Sequence, residues 1–209
     1  FDPDILVTGD LAPLYSRLRE ADLLLTPHLT APLEDAAIPG ERDILLSGIY
    51  NLGFLGLACN ERTLRFLAWW QRRLHDDCRH QVERGLFVDQ RWMDFAPAFL
   101  RHAEVLHDPG CNMAYWNLAH RRLERLESGA GGWQVRPALG AAVPLRFFHF
   151  SGFDPRRPGE ISKFQNRFTL GERPDLTPLY QDYARQLQEA GHEELRSLPY
   201  AYGRFGDGT

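Results

Sequence analysis

The sequence is poor in cysteine and in long apolar runs, and each scarcity excludes a class of protein. Its three cysteines, Cys59, Cys78 and Cys111, are far apart and form no C-x-x-C pair. This spacing excludes a disulfide framework and a cysteine-based zinc site, and it favours a reducing, cytoplasmic compartment. No apolar run approaches the ~20 residues that cross a bilayer, so we expect no transmembrane segment.

Lysine is also scarce, since it occurs only at Lys163, and the arginines are dispersed. The net charge is −4, from 24 basic and 28 acidic residues. Nucleic-acid binding requires clustered Lys and Arg for phosphate contacts, so no nucleic-acid partner is expected. With 44% hydrophobic and 12% aromatic residues, the 209-residue chain has enough apolar side chains for a large core.

The first 26 residues alternate between apolar runs and an amphipathic segment. ILVTG (5–9) is a short apolar run that ends at glycine, which is typical of a buried strand. Asp10 is a good N-cap for the helix that we expect next. DLLLT (22–26) predicts the following strand. This β–α–β order predicts an α/β fold with parallel strands, a mixed sheet flanked by helices.

Later segments extend this pattern. Residues 27–43 are rich in proline and acids and predict a long loop, which in a compact domain is often functional. Asn60 is expected to cap a long helix that ends at Gly85. The other predicted elements are strands at 49–58, 104–108, 133–135 and 144–152, a short helix opening near Asp89, a helix in the second half of 112–126, a turn at 129–132 and an amphipathic helix at 175–190.

Two carboxylates flank a proline at the beginning of the sequence. Residues two apart in a strand point to the same side, so Asp2 and Asp4 are expected at one strand edge, with Pro3 stiffening the link. Adjacent carboxylates repel each other unless a cation neutralises them, and this pair suits a hard divalent ion. A D-x-D pair alone is a weak signal, because most acidic pairs are solvated.

His149, in the strand predicted at 144–152, offers a nitrogen ligand. A histidine in an apolar strand is more often a hydrogen-bonded structural residue. Beside two carboxylates it would instead complete a mixed oxygen and nitrogen site, which fits Mn²⁺ better than Mg²⁺. Gly152 leaves room for a phosphate near the backbone. Basic residues that could complete an anion site follow it, namely Arg156, Arg157 and Lys163.

Several other polar and aromatic residues have simpler interpretations. Four tryptophans are expected in the core, namely Trp69, Trp70, Trp92 and Trp116. A group on the long helix resembles a metal site but is expected to be a solvated face, namely His75, Asp76, Asp77 and His80. Two asparagines can be turn residues instead of ligand contacts, namely Asn112 and Asn117.

Five short motifs follow one another over about 150 residues, namely DPD (2–4), NLG (51–53), DQ (89–90), YWN (115–117) and HFSG (149–152). In this order they resemble the C-terminal half of the GT-A nucleotide-diphospho-sugar glycosyltransferases, and glycosyltransferase family eight in particular. The segments FVDQ, NMAYWNL and FHFSGF also resemble bacterial surface-polysaccharide glycosyltransferases.

The resemblance implies a role for each matched residue. Asp2, Asp4 and His149 match the ligands of a Mn²⁺ or Mg²⁺ ion that bridges the diphosphate of the donor. Asp89 matches a contact to a donor-sugar hydroxyl, and Gln90 matches a side chain whose carbonyl stabilises positive charge near the anomeric carbon. The expected donor-binding residues are Asn51, Gly53, Gly152, Lys163 and Arg156.

The implied activity is metal-dependent transfer of a sugar from a nucleotide-diphosphate sugar to a glycan or lipid-linked acceptor, with retention, in bacterial surface polysaccharide or glycoconjugate synthesis. The expected location is the cytoplasm, with peripheral association at the inner face of the membrane as an alternative.

Two positions depart from the family pattern. Leu52 replaces a small residue, and Pro155 stands where the family has a lysine that contacts the diphosphate.

The resemblance also implies a domain organisation. Residues 1–170 would be the C-terminal part of a GT-A-like domain, whose nucleotide-binding half would precede Phe1, and 171–209 would be a C-terminal helix and tail that lead to a further, missing region. Two other functions stay open: a non-catalytic carbohydrate-binding or scaffold relic of the fold, and a nucleotide-sugar hydrolase. The hydrolase would need a water-activating base near the metal, for which the sequence offers no clear candidate.

Overall fold

The computed structural model describes residues 1–126 and 132–199, which form a mixed α/β arrangement with several sheets. The strands are β1 (Ile5–Val7), β2 (Leu23–Pro27), β3 (Tyr50–Leu57), β4 (His80–Gln81), β5 (Leu86–Phe87), β6 (Ala103–Val105), β7 (Arg121–Leu126), β8 (Gly132–Pro137), β9 (Val143–Pro144) and β10 (Phe147–His149). The α-helices are α1 (Ala12–Arg17), α2 (Glu41–Ser47), α3 (Glu61–Asp77), α4 (Ala96–Phe99), α5 (Thr177–Glu189) and α6 (His192–Arg196), and 3₁₀ helices cover Val82–Arg84, Gln90–Phe95 and Tyr115–His120.

Strand β2 is the centre of a three-stranded sheet with the order β3-β2-β6. It is antiparallel to β3 and parallel to β6. All five residues of β2 are buried because hydrophobic clusters cover both faces, with Leu23 and Leu25 packed beside Phe66 of α3, and Leu24 packed beside Phe54. The expected parallel pairing of the first two strands is wrong, because β1 lies in a different sheet.

Strand β1 pairs antiparallel with β10, which brings the two ends of the motif series together. Ile5 lies opposite His149 in the register. The Phe1 ring packs against the rings of Phe54 and Phe147, each at a centroid distance of 5.1 Å. Residues 2–4 therefore lie beside the end of β10, because both the strand pairing and this aromatic contact hold them there.

The helix expected in the second half of 112–126 is wrong. Residues 115–120 form a 3₁₀ helix, and β7 follows it as an antiparallel partner of β8. The Arg, Leu and Glu residues of β7 favour helices in isolation. In the folded chain, however, Arg121 and Leu123 are buried and Arg122 is exposed, which is the alternation of a strand. Tertiary pairing therefore overrides local propensity here.

Helix α3 begins as predicted and ends earlier. The Asn60 side chain accepts a hydrogen bond from the Thr63 backbone N–H over 3.1 Å, which confirms the N-cap. The helix ends at Asp77 instead of Gly85, because Cys78 leaves the helical conformation. The chain then forms a short hairpin of β4 and β5, in which Gly85 adopts a left-handed conformation with φ of 74°.

Helix α5 confirms the amphipathic segment predicted near 175–190. It packs on the cluster that contains Phe148 and Phe150, and the Tyr183 ring stacks on the Phe150 ring at a centroid distance of 3.8 Å. The turn expected at 129–132 and the tail from residue 200 fall wholly or mainly outside the described residues. In the part of the chain that is described, no helix is both long and apolar enough to span a membrane.

Candidate metal centre

The two aspartates converge because residues 2–5 form a turn. The Ile5 backbone N–H donates to the Asp2 carbonyl oxygen over 3.2 Å, so Pro3 and Asp4 occupy the central positions of the turn. Proline favours the first central position because its fixed φ matches the turn geometry. The strand geometry expected for this segment is therefore wrong, and the turn is what brings the two carboxylates together.

His149 completes a cluster of three metal-ligand side chains. Its Nε2 atom lies 3.0 Å from Asp4 Oδ1 and 3.8 Å from Asp2 Oδ2. One ligand atom from each side chain lies within 4.8 Å of the other two. The histidine is buried and both carboxylates are partly exposed. Two oxygens and one nitrogen at this spacing fit a single divalent cation and leave coordination positions open for a ligand.

Backbone hydrogen bonds hold the three side chains in place. The Asp2 N–H donates to the Gly53 carbonyl over 2.8 Å, and the Phe150 N–H donates to the Asp4 carbonyl over 2.9 Å. Both bonds connect the turn to elements that are distant in sequence. The geometry of the cluster is thus set by the fold and not by the local sequence alone.

The pKa values of the two carboxylates are shifted in opposite directions. Burial raises the pKa of Asp2, and the charges of Asp4 and Asp89 act in the same direction, while His149 opposes them. Burial also favours a higher pKa at Asp4, but the hydrogen bond and the charge of His149 outweigh it and hold that pKa below its ordinary value. A divalent cation would relieve the crowding of negative charge at Asp2.

A cavity of about 530 Å³ adjoins the cluster. Asp2 and His149 contribute to its wall, together with four of the other predicted site residues, namely Asn51, Gly53, Asp89 and Gln90. Pro39 and Phe164 also line it, and they come from the two loop segments 27–43 and 153–170. Tyr115 and Trp116 of the YWN motif line it too, so the structure brings all five motifs to one site.

The side chain of Asn51 is fully engaged within the protein. Its Oδ1 accepts from Asn112 Nδ2 and from the Gly53 N–H, and its Nδ2 donates to Gln90 Oε1 and to His28 Nε2. These four bonds use the complete hydrogen-bonding capacity of an amide. The contact of Asn51 with a donor sugar stays a prediction.

The neighbouring DQ motif presents two different environments. Asp89 lines the cavity, and its carboxylate has no hydrogen-bond donor within the described residues. Val88 before it has a φ of 41°, a strained conformation for a β-branched residue. Gln90 is buried, and its Oε1 already accepts from Asn51 Nδ2 and the Leu52 N–H. The catalytic roles expected of Asp89 and Gln90 stay predictions.

Three predicted donor-binding residues do not line this cavity. Arg156 is paired with the carboxylate of Asp154. The Lys163 ammonium lies 4.9 Å from the centroid of the Phe164 ring. Gly152 has a φ of 72°, and a Cβ there would overlap with Ser162 and Phe164, so packing and backbone conformation are sufficient reasons for this glycine.

Three residues that shape the site are not among the predicted site residues. His28 is buried and donates through Nδ1 to the Ile49 carbonyl over 3.2 Å. Burial lowers its pKa to about 4, although the nearby backbone carbonyls oppose this shift. Trp116 packs edge-on against both His28 and His149. Asn112 hydrogen-bonds to His149. Only the NMAYWNL segment carried a signal for two of them.

Two proteins of Bacillus subtilis (strain 168) are similar to this chain. Uncharacterized protein YfnF is 26% identical over 187 residues, which cover 87% of this chain and 57% of YfnF. Uncharacterized protein YfnD is 25% identical over 209 residues, which cover 99% of this chain and 61% of YfnD. The chain thus spans about three fifths of the length of the curated relatives it matches. No model of a known protein family matches the chain, and no solved structure matches it.

Proposed function

We propose that this chain is part of a GT-A-like glycosyltransferase, which uses a divalent cation to transfer a sugar from a nucleotide-diphosphate sugar to a glycan or lipid-linked acceptor. The observation that carries the proposal is the convergence of Asp2, Asp4 and His149, from both ends of the motif series, beside a cavity lined by the NLG and DQ motifs. The two similar Bacillus proteins are uncharacterized and add no information on function.

The proposed roles follow the lining of the cavity. Asp2, Asp4 and His149 would hold Mn²⁺ or Mg²⁺, which when bound supplies a Lewis acid for the departing diphosphate. No Lys or Arg lines the described part of the cavity, so the charge of a diphosphate would be balanced mainly at this cluster. Asp89 would accept a hydrogen bond from a sugar hydroxyl, because its carboxylate is available there.

The experiment incubates the full protein chain with UDP- and GDP-sugars, with and without Mn²⁺, and measures donor consumption by mass spectrometry. Asp4→Asn removes one ligand charge at almost constant size. Asp76→Asn, an exposed position at the end of α3, is the matched control. We expect consumption of at least one donor that requires Mn²⁺, is lost in Asp4→Asn and is unchanged in Asp76→Asn. No consumption of any donor would contradict the proposal.

The same assay separates the competing functions. A transferase releases nucleoside diphosphate faster when an acceptor glycan is added. Donor hydrolysis at a rate that no acceptor changes would favour a nucleotide-sugar hydrolase. Donor binding in a thermal-shift titration, without any turnover, would favour a non-catalytic relic of the fold.

A further inference from the structure

Asn112 contacts His149 on the ring nitrogen that faces away from the carboxylates. Its Oδ1 lies 3.2 Å from His149 Nδ1. Asn112 is 1% exposed and has a φ of 52°, a left-handed conformation that asparagine tolerates better than most residues. A buried polar residue in this conformation is expected to have a specific partner, and here the partner is a candidate metal ligand.

The orientation of the Asn112 amide follows from its other contacts. Its Nδ2 donates to Thr26 Oγ1 over 2.8 Å and to Asn51 Oδ1 over 2.9 Å. The Thr26 hydroxyl donates in turn to the Asn51 backbone carbonyl, so it is free to accept from Asn112. Both N–H groups of Asn112 are therefore used, and an oxygen faces the histidine.

The orientation of the Asn51 amide is set by partners that can act only as hydrogen-bond donors or only as acceptors. Its Oδ1 accepts from the Gly53 N–H over 3.0 Å, and its Nδ2 donates to Gln90 Oε1 over 3.3 Å. Gln90 is fixed in the same manner, since Oε1 accepts from the Leu52 N–H and Nε2 donates to the Ser47 carbonyl. A backbone N–H only donates and a backbone carbonyl only accepts. Flipping the side-chain amide of Asn51 or Gln90 would therefore place two donors or two acceptors against each other.

This chain of contacts has a consequence for His149. Because an oxygen of Asn112 faces Nδ1, that nitrogen carries a hydrogen, and the lone pair of the neutral ring lies on Nε2. Nε2 is the atom that faces Asp2 and Asp4. Carboxylates only accept hydrogen bonds. Three acceptors thus face one another, and a divalent cation bound between them would satisfy all three.

We propose that Gln90, Asn51 and Asn112 form an amide relay that fixes the tautomer of His149, with Asn112 as the positioning residue that touches the ring. Three backbone groups, at Ser47, Leu52 and Gly53, fix the direction of each hydrogen bond in the relay. The relay in turn determines that the lone pair of the ring lies on the ligand atom Nε2. The inference rests on the proposed metal site and deepens it. Ligating histidines commonly depend on such a partner, whose loss weakens metal binding by about 10–100-fold.

Two substitutions at Asn112 distinguish the effect of losing the relay from a general loss of stability. Asn112→Gly keeps the left-handed backbone accessible and removes the amide. Asn112→Asp also tolerates this backbone and keeps an acceptor toward His149 Nδ1, while its second oxygen replaces the N–H that faces Asn51 Oδ1, so this variant tests the acceptor at the ring and not the rest of the relay. The matched control is Asn60→Ala, which destabilises the protein by removing a helix cap and does not touch the relay. Asn112→Ser is a second loss variant in case the glycine variant does not fold.

The first measurement is the tautomer of His149, read from long-range ¹H–¹⁵N correlations of the full chain at the lowest concentration of diamagnetic Mg²⁺ that saturates the wild type. We expect Nδ1–H in the wild type, in Asn60→Ala and in Asn112→Asp, and a shift toward Nε2–H in Asn112→Gly and Asn112→Ser. The second measurement is Mn²⁺ affinity by EPR titration, which we expect to fall about 10–100-fold in the two loss variants only.

The result that overturns the inference is a wild-type tautomer and Mn²⁺ affinity in a folded loss variant. An Nε2–H tautomer in the wild type overturns it as well. Both results can be told apart from a failure of the proposed function. A protein that binds Mn²⁺ and holds the Nδ1–H tautomer but consumes no sugar nucleotide would contradict the glycosyltransferase proposal, and it would leave the relay intact.

Discussion

The imidazole ring of His149 lies directly against the backbone of Gly53. A Cβ at Gly53 would overlap with Cε1 and Nδ1 of this ring. The glycine of the NLG motif is therefore required for the close approach of a candidate metal ligand to strand β3, and not only for space around a donor.

We predict that Gly53→Ala displaces the ring and weakens Mn²⁺ binding about tenfold or more, because the ligand atom Nε2 moves with it. Overpacking of this kind also costs about 1–3 kcal/mol of stability. EPR titration and chemical unfolding measure the two effects. Gly159→Ala is the control, since no atom lies within 4 Å of a Cβ there. Equal Mn²⁺ affinity in both variants would refute this interpretation of Gly53.

His28 makes stability depend on pH. Its pKa is about 4 in the folded protein, chiefly because of burial, and about 6.5 in an unfolded chain. Between these values the unfolded state binds the additional proton, so the free energy of unfolding falls as the pH falls from about 6.5 to about 4. The full contribution is about 3 kcal/mol, and it is lost progressively across this window.

The measurement compares urea unfolding of the wild type and His28→Gln at about pH 7 and about pH 4. Glutamine can replace the hydrogen bonds to Ile49 and Asn51 without titrating in this range. We expect the wild type to lose about 3 kcal/mol more than the variant on acidification. The same pH dependence in both proteins would mean that His28 is not the titrating group.

Arg167 joins the two loops beside the cavity. Its guanidinium binds the Asp35 carboxylate and donates to the carbonyls of Ala37 and Pro39. We predict that Arg167→Leu costs about 1–3 kcal/mol, because the loop carbonyls lose buried partners. It should also accelerate hydrogen exchange in residues 33–43. Arg157→Leu, at an exposed position in the second loop, is the control. Wild-type exchange in the Arg167 variant would exclude this role.

The cavity also predicts a charge preference, provided that the proposed function is correct. Asp2, Asp43 and Asp89 line it, and no Lys or Arg of the described chain does so. A donor sugar with its own carboxylate should therefore react at least about tenfold more slowly than a neutral hexose, which corresponds to about 1.4 kcal/mol of repulsion. Asp89→Asn should narrow this ratio, and Asp76→Asn should not. Preference for uronic acid donors in kcat/KM comparisons would contradict the prediction.

The sequence predicted those features that depend on local patterns. The apolar run 22–26, the cap at Asn60 and the amphipathic period of 175–190 each encode one element, and the structure confirms them. Strand partners were not predictable in this way, because the pairing of β1 with β10 depends on contacts between residues about 140 positions apart. The segment Arg121–Leu126 favours a helix locally and becomes a strand through β8.

The site was predictable to a similar degree. The order of the motifs identified Asp2, Asp4 and His149 as candidate metal ligands, and the fold places them together. The amide relay was not predictable, since Gln90, Asn51 and Asn112 are connected only through tertiary contacts. Their hydrogen-bond polarity comes from backbone groups that a sequence does not display.

A crystal structure of the protein with Mn²⁺, using anomalous scattering at the manganese edge, tests the metal site directly. We predict an anomalous peak within coordinating distance of Asp2, Asp4 and His149 Nε2, and no such peak in Asp4→Asn. A peak elsewhere with none at this cluster, or a His149 ring that turns Nε2 away from both carboxylates, would contradict the central claim that these three residues form a metal site.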